Sequence, residues 1–341
     1  MTQTTNDNEV LQHFSYRKLI IPLLIGLGAI AYFIFKDFDA EKLKSINWNF
    51  TLLFWLVMAI TAIAIRHFFL MYRLKSLTDH EISWYQSFQI ISLWEFSSCV
   101  TPSSVGGTAV ALFFLTKEGI SVGRTTTIIL ITIFLDGLLF TLLAILFWII
   151  LGGAFVNSGW AYFFYVGFVI NVIMFLVVAY GLFLNPNTIK WLIEKIFSLP
   201  YIRRWKHIGR RTAKDLEIAS KGLKDKTLGY WLGGFVGTLG AWVMRFLVVN
   251  FIILAVVYNS EQLLILARSF ILYLVMALSP TPGSSGAAEF SFIRILGEFV
   301  PDGTAPTLSF FWRIFSYYIF IPLGFIVLPQ WLKRVFSKTK V

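Results

Sequence analysis

Apolar residues arrive along this chain in long unbroken blocks, not in the alternating pattern of half-buried strands or the one-sided pattern of soluble helices. The blocks run at roughly 19–35, 51–74, 125–151, 162–184, 228–258 and 307–330. A helix rising 1.5 Å per residue crosses a hydrocarbon layer of ~30 Å in about 20 residues, so each block predicts a membrane span. Two further apolar stretches are broken in the middle. The stretch 85–100 is interrupted by Thr101-Pro102-Ser103-Ser104-Val105-Gly106-Gly107 and resumes through Leu115. The stretch 263–279 is interrupted by Ser279-Pro280-Thr281-Pro282-Gly283-Ser284-Ser285-Gly286 and resumes through Ile295. Their arms are mostly too short to span.

Charge orients the segments. Arg17/Lys18, Arg73/Lys75, Lys117/Arg124 and Lys333/Arg334 flank apolar blocks, and residues 185–227 hold eleven Lys or Arg against four acids. The connections 152–161, 259–262 and 297–306 contain no Lys or Arg. The positive-inside rule therefore predicts cytoplasmic N- and C-termini and a basic cytoplasmic segment at 185–227, lying along the membrane surface. The assignment closes only if 85–123 and 262–306 each return to the side they entered, the first from the cytoplasm and the second from outside. Both predict re-entrant hairpins with shielded tips, because bare backbone in lipid is prohibitively costly. TPSSVGGTA at 101–109 recurs as TPGSSGAAE at 281–289, and the same offset of 180 aligns 127–150 with 307–330. An odd number of spans separates the two hairpins, so the repeat is inverted, the arrangement in which broken helices meet near mid-membrane. The expectation is an all-α polytopic membrane protein of about six spanning helices plus two re-entrant hairpins. It forms a single domain, with repeat A at about 51–151 and repeat B at about 228–330, joined by the 162–184 helix and the basic segment.

Composition narrows the class further. Of 341 residues, 57% are hydrophobic and 14% charged, with a mean hydropathy of +0.74. Soluble domains carry about 25% charged residues, so this chain lacks the polar surface to stay in water. The net charge of +11 sits beside spans, where it faces anionic lipid headgroups and not nucleic acid. The first block is longer than a signal-peptide core and no small-residue cleavage site follows it, which predicts a retained helix in the cell (inner) membrane. Four scattered histidines and one cysteine supply no metal-ligand spacing, and no nucleotide motif is present. The expectation is therefore no metal, no cofactor and no catalytic residue.

Ionisable side chains at bilayer depth are costly and mark functional candidates. Six are weighed as candidates: Arg66, Glu95, Asp136, Arg245, Glu289 and Arg313. Arg66 is close enough to a helix end to snorkel. Asp136 and Arg245 sit nearer mid-span and require buried partners, each other or another charge. A Glu289–Arg313 pair would tie the second hairpin to the last helix. Gly106, Gly107, Gly283 and Gly286 allow close backbone approach. Ser103, Ser104, Ser284 and Ser285, with Pro282 at the break, add donors where helix N-termini favour anions.

The stretch SFQIISLWEFSSCVTPSSVGGTAVALFFLTKEGISVGRTTTIILITIFLDGLLF resembles the first block of the lysylphosphatidylglycerol synthase membrane-region family, also called flippase-like domain proteins. ALSPTPGSSGAAEFSFIRIL followed by SFFWRIFSYYIFIPLGFIVL resembles its second block, with a PTPG…G…E hairpin and an arginine-bearing last helix. Ser104 and Gly107 stand where many members carry Arg and Glu. The resemblance covers about residues 15–335 and implies a lipid-handling membrane domain. Bifunctional relatives carry a large soluble aminoacyl-transfer domain after this region, for which the chain to Val341 leaves no room. The leading expectation is a transporter moving an anionic phospholipid or lipid-linked intermediate across the bilayer. Arg66, Arg245 and Arg313 would contact phosphate, the tips would line the path, and Glu95, Asp136 and Glu289 would balance charge or carry protons. A membrane-embedded lipid-modifying transferase and a non-transporting accessory protein of envelope lipid assembly are the alternatives; oligomeric state is open.

Overall fold

The computed structural model describes residues 49–337 except 101–102, 157–158, 186, 189–190, 192–194, 196–221, 258–260, 280 and 282. The apolar block at 19–35 and most of the basic segment lie outside the described residues. Every regular element among the described residues is helical. Helix α1 (Phe50–Leu77) is followed by the pair α2 (Trp84–Val100) and α3 (Ser103–Lys117), then α4 (Val122–Leu151). Helix α5 (Ala161–Ala179) runs into a π turn at Tyr180–Leu184. After it come α6 (Leu228–Leu254), the pair α7 (Gln262–Ala277) and α8 (Ala287–Leu296), and then α9 (Ala305–Arg313). A π turn at Ile314–Tyr318 leads from α9 into α10 (Phe320–Ser337). Polar residues just ahead of three apolar blocks start their helices: Asn49, Ser121 and Thr227 accept the N–H groups of Leu52, Arg124 and Tyr230.

Five of the predicted blocks are helices long and apolar enough to cross a membrane: Phe50–Leu77, Val122–Phe155, Ala161–Leu184, Leu228–Leu254 and Ala305–Val335. Their outward faces are apolar, as with Val57 and Ile60 on α1, Val169 and Ile173 on α5, and Leu232 and Val236 on α6, all exposed. Apolar surface on this scale is tolerated in lipid and is a liability in water. The chain is a multi-pass helical membrane protein.

The longest packing contact joins α1 and α6. Glycines on α6 make it possible: a Cβ on Gly233, Gly237 or Gly240 would lie within 3 Å of Ser76, Arg73 or Phe69. These positions repeat every three or four residues on one helix face, the small-residue device that lets membrane helices approach closely. Facing residues ascend in α6 as they descend in α1, through to the stacked rings of Trp55 and Phe251, so the two helices are antiparallel along their length. Element bounds also recur 180 positions apart, α1 to α4 against α6, α7, α8 and α9–α10. Combining this offset with the antiparallel pairing, each helix meets its own counterpart near residues 65 and 245, beside Arg66 and Arg245.

The two helix pairs open toward opposite ends of the bundle. At one end Arg124 bridges Asp79 and Glu81, and Lys226 reaches Asp79, tying the connections after α1 and α3 to the start of α6. The same end holds Glu118, just after α3, which accepts from Gln86 (2.7 Å), Trp331 (2.9 Å) and Arg334 (2.8 Å). This fixes the open end of α2–α3 to the end of α10. At the other end Arg268 of α7 pairs with Glu298 and donates to the carbonyls of Ile295 and Ala154, fixing α7–α8 to the end of α4. Each helix pair is thus fastened to the last helix of the other half.

Two predictions follow from this packing. Gly237→Val drives a branched side chain into the Arg73 backbone and lowers stability by about 1–3 kcal/mol, read as a lower melting temperature in detergent. Gly153→Ala, with nothing within 4 Å of the new Cβ, leaves it unchanged. Burial pushes the Glu118 carboxyl up, but hydrogen bonds from Arg334, Gln86 and Trp331 outweigh it and hold the group below the usual value near 4.5. Its contribution is therefore complete at neutral pH and is lost as pH falls through the lowered value. Glu118→Gln melts lower than wild type at neutral pH, and the gap closes in strong acid.

Candidate functional site

The ionisable side chains of the apolar segments converge inside the bundle. Arg313, 1% exposed, ends α9 just before the π turn. Its Nη2 donates to Gly283 O (3.0 Å) and Ser285 Oγ (3.1 Å), and its Nε lies 2.7 Å from Glu289 Oε1. The Glu289–Arg313 bridge expected from the sequence is present. Glu289 also caps α8, accepting the Gly286 N–H at 2.6 Å. One carboxylate thus closes the turn and neutralises the cation beneath it.

That turn needs its glycines. Gly283 and Gly286 have φ of +54° and +83°, and a Cβ on Gly283 would overlap the Tyr317 ring. Ser284 shares the left-handed region (φ 58°) and turns its hydroxyl back to Met276 O at 2.8 Å. Ser284 and Ser285 therefore spend their hydroxyls on the turn and on Arg313. Pro282 is outside the described residues, as are Thr101 and Pro102. Ser103, Ser104 and Gly106 begin α3, but their side-chain positions are outside the described set. Gly107 packs against Ser98, where a Cβ would meet Oγ at 2.0 Å, so it allows α2 and α3 to close on each other.

Tyr317 joins the two broken segments. Its ring touches Gly283, lies 4.0 Å from the Arg313 guanidinium, and its hydroxyl donates to Cys99 O at the end of α2 (2.5 Å). The end of α2 and the turn ahead of α8 meet at one side chain.

Arg66 does not snorkel. It is buried and donates to Glu95 of α2 at 2.9 Å, over the Phe320 ring. Asp136 and Arg245 do not pair with each other. Arg73, read from sequence as a flanking cation, is buried and holds Asp136 at 2.8 Å, with Thr238 alongside. Trp242 donates to the same carboxylate oxygen at 2.9 Å. Arg245 lies beside two rings, 4.6 Å from Tyr273 and 5.2 Å from Trp242. Among the described residues no carboxylate lies within ion-pair distance of it, and its buried Nε has no hydrogen-bond acceptor. Tyr273 continues the seam by accepting from Trp312, the neighbour of Arg313.

The sequence reading missed Arg73, Trp242, Tyr273 and Tyr317. Arg73 lay too near a helix end to stand out as buried, and the aromatics are lost among the chain's 60 Phe, Tyr and Trp residues. A clue was available for Tyr317, four residues after Arg313 and so on the same helical face.

These features define a polytopic helical membrane protein whose interior carries a chain of arginines and carboxylates linked by aromatic rings. More specifically, the chain belongs to the lysylphosphatidylglycerol synthase TM region family, which matches residues 19–324. It is also similar to a UPF0104 membrane protein of Archaeoglobus fulgidus, 26% identical over 329 residues that cover 90% of this chain and 95% of that one. No solved structure matches it. The family resemblance carried by the two hairpin blocks is borne out.

Removing one partner of a buried pair strands the other. Glu289→Gln should cost about 3–5 kcal/mol, measured as a loss of thermal stability in detergent, whereas Glu289→Gln with Arg313→Met recovers much of it.

Proposed function

We propose that this protein moves an anionic phospholipid or lipid-linked intermediate between the leaflets of the cell (inner) membrane, with both termini cytoplasmic. In this reading the chain has six spans, counting the block at 19–35. The pairs α2–α3 and α7–α8 are re-entrant hairpins of an inverted repeat, entering from opposite faces. Their lengths support it: helices of 17, 15, 16 and 10 residues extend about 15–26 Å, short of the hydrocarbon thickness. Opposite openings, broken segments that meet at Tyr317 and the antiparallel α1–α6 crossing favour the same arrangement. Inverted repeats with broken helices at mid-depth are a recurrent transporter design.

The observation that carries the reading is Arg245: a cation held inside the bundle beside aromatic rings, with no carboxylate among the described residues within ion-pair distance. A site that leaves one guanidinium uncompensated favours an anion. Arg66 and Arg313, already neutralised by Glu95 and Glu289, line the approach, and the hairpin turns border it. The three carboxylates hold the arginines in place and are the groups available to balance charge as substrate passes.

The test is reconstitution into liposomes with a fluorescent phosphatidylglycerol, following its appearance in the opposite leaflet. Wild type accelerates movement. Arg245→Gln slows it by about tenfold to a hundredfold, the worth of a charged hydrogen bond at about 1.5–3 kcal/mol. Equal rates in both proteins, or no acceleration over empty liposomes, would end the transport reading. Chemical modification of the lipid without movement would favour an embedded transferase instead.

A further inference from the structure

Among the described residues, the charges in the interior pair off one to one, and one is left over. Arg66 takes Glu95, Arg73 takes Asp136 and Arg313 takes Glu289, each at 2.7–2.9 Å. Arginine stays protonated under all ordinary conditions, so its four positive charges are permanent. Three carboxylates answer three of them. The remaining +1 sits on Arg245 and is the net charge of these seven side chains. Glu95 lies within the electrostatic reach of Arg245, but its hydrogen bond goes to Arg66. The count is of the described residues; the hairpin residues outside them, Thr101, Pro102, Pro280 and Pro282, are not ionisable.

Geometry restricts how Arg245 is used. The rings of Trp242 and Tyr273, set nearly perpendicular to each other, both lie against its guanidinium, and neither supplies a full negative charge. Trp242 is committed to Asp136 and the Tyr273 hydroxyl to Trp312. Among the described residues its buried Nε has no acceptor, which leaves a charged donor that an oxygen of an anionic group can take.

We propose that the substrate presents one negative charge at Arg245, as a phosphodiester headgroup does, and that phosphomonoester and diphosphate lipids are rejected. The inference rests on the transport reading and specifies its substrate class. The physical ground is charge balance in a medium of low dielectric: a monoanion brings the seam to neutrality, whereas a dianion leaves an uncompensated charge. Specificity here comes from the penalty against the wrong ligand as much as from attraction to the right one.

The experiment compares two lipids with identical acyl chains at pH 8. Phosphatidylmethanol carries one charge, and phosphatidic acid, a phosphomonoester that loses a second proton, carries more than one. Equilibrium binding to the detergent-solubilised protein and movement in liposomes are both measured. Wild type prefers phosphatidylmethanol by about tenfold or more in both assays. Arg245→Gln abolishes that preference. Glu95→Gln frees Arg66 and raises the seam to +2, so the preference shifts toward phosphatidic acid. Because Glu95→Gln alone strands a buried arginine, Arg66→Gln with Glu95→Gln provides a second arm. It restores +1 and keeps the single-charge preference even where the rate falls. Dimethyl phosphate, the same head without a lipid, does not compete at matched concentration. Equal handling of the two lipids by wild type, or an unchanged ratio in a folded Glu95→Gln protein, overturns the charge assignment. Competition by dimethyl phosphate overturns its lipid part. Failure of the transport reading looks different: neither lipid moves, while the binding preference still reports on the charge count.

Discussion

A guanidinium enclosed at the middle of a membrane protein has to be neutralised where it stands, and the arrangement around Arg313 follows from that demand. Its charge is met by Glu289, its donors by Gly283 O and Ser285 Oγ, and its face by Tyr317. Those groups come from the turn after α7, the first turn of α8 and the π turn after α9. Satisfying one cation therefore determines where three elements meet. Tyr317 extends the constraint to α2 through Cys99 O, so both broken segments are registered against the same short stretch of chain. The π turn matters here because it shifts the helical register just after Arg313, and such bulges are frequent at functional positions.

The α1–α6 crossing supplies the second constraint. Water-driven association is absent between helices in lipid, so contact depends on how closely backbones can approach. Gly233, Gly237 and Gly240 remove the side chains that would keep the helices apart. Close approach brings Arg66 and Arg245, carried on different helices, to the same level of the bundle. The fold thereby gathers positive charge at the place where each half meets its counterpart. Glu95, delivered by α2, neutralises one of the two arginines; the other keeps its charge.

Much of the architecture was legible without coordinates. Block length marked α1, α4, α5, α6 and the α9–α10 segment, since only about 20 apolar residues suit a membrane and nothing in the pattern competes with that reading. Proline and glycine marked the breaks between α2 and α3 and between α7 and α8. The Glu289–Arg313 bridge was legible because the second hairpin places Glu289 directly before the helix that carries Arg313. Arg73 was misjudged, since proximity to a helix end does not reveal whether a side chain points to water or to a neighbouring helix. The serines of the second turn engage local backbone and Arg313, an arrangement set by left-handed backbone angles that residue type alone does not specify.

By itself the sequence determined that the chain lies in a membrane, where its helices begin and break, and that costly charges are carried into the apolar interior. These properties follow from composition and local spacing, which act over one or two helical turns. Tertiary structure alone decided which charges cancel. Asp136 goes to Arg73 and Glu95 to Arg66 because helix rotation and crossing level place those atoms within hydrogen-bonding distance. Arg245 is left over for the same reason: the rings of Trp242 and Tyr273 reach it, and no carboxylate among the described residues does. Pairing acts between helices 29 to 63 residues apart in the chain, and no local pattern encodes it.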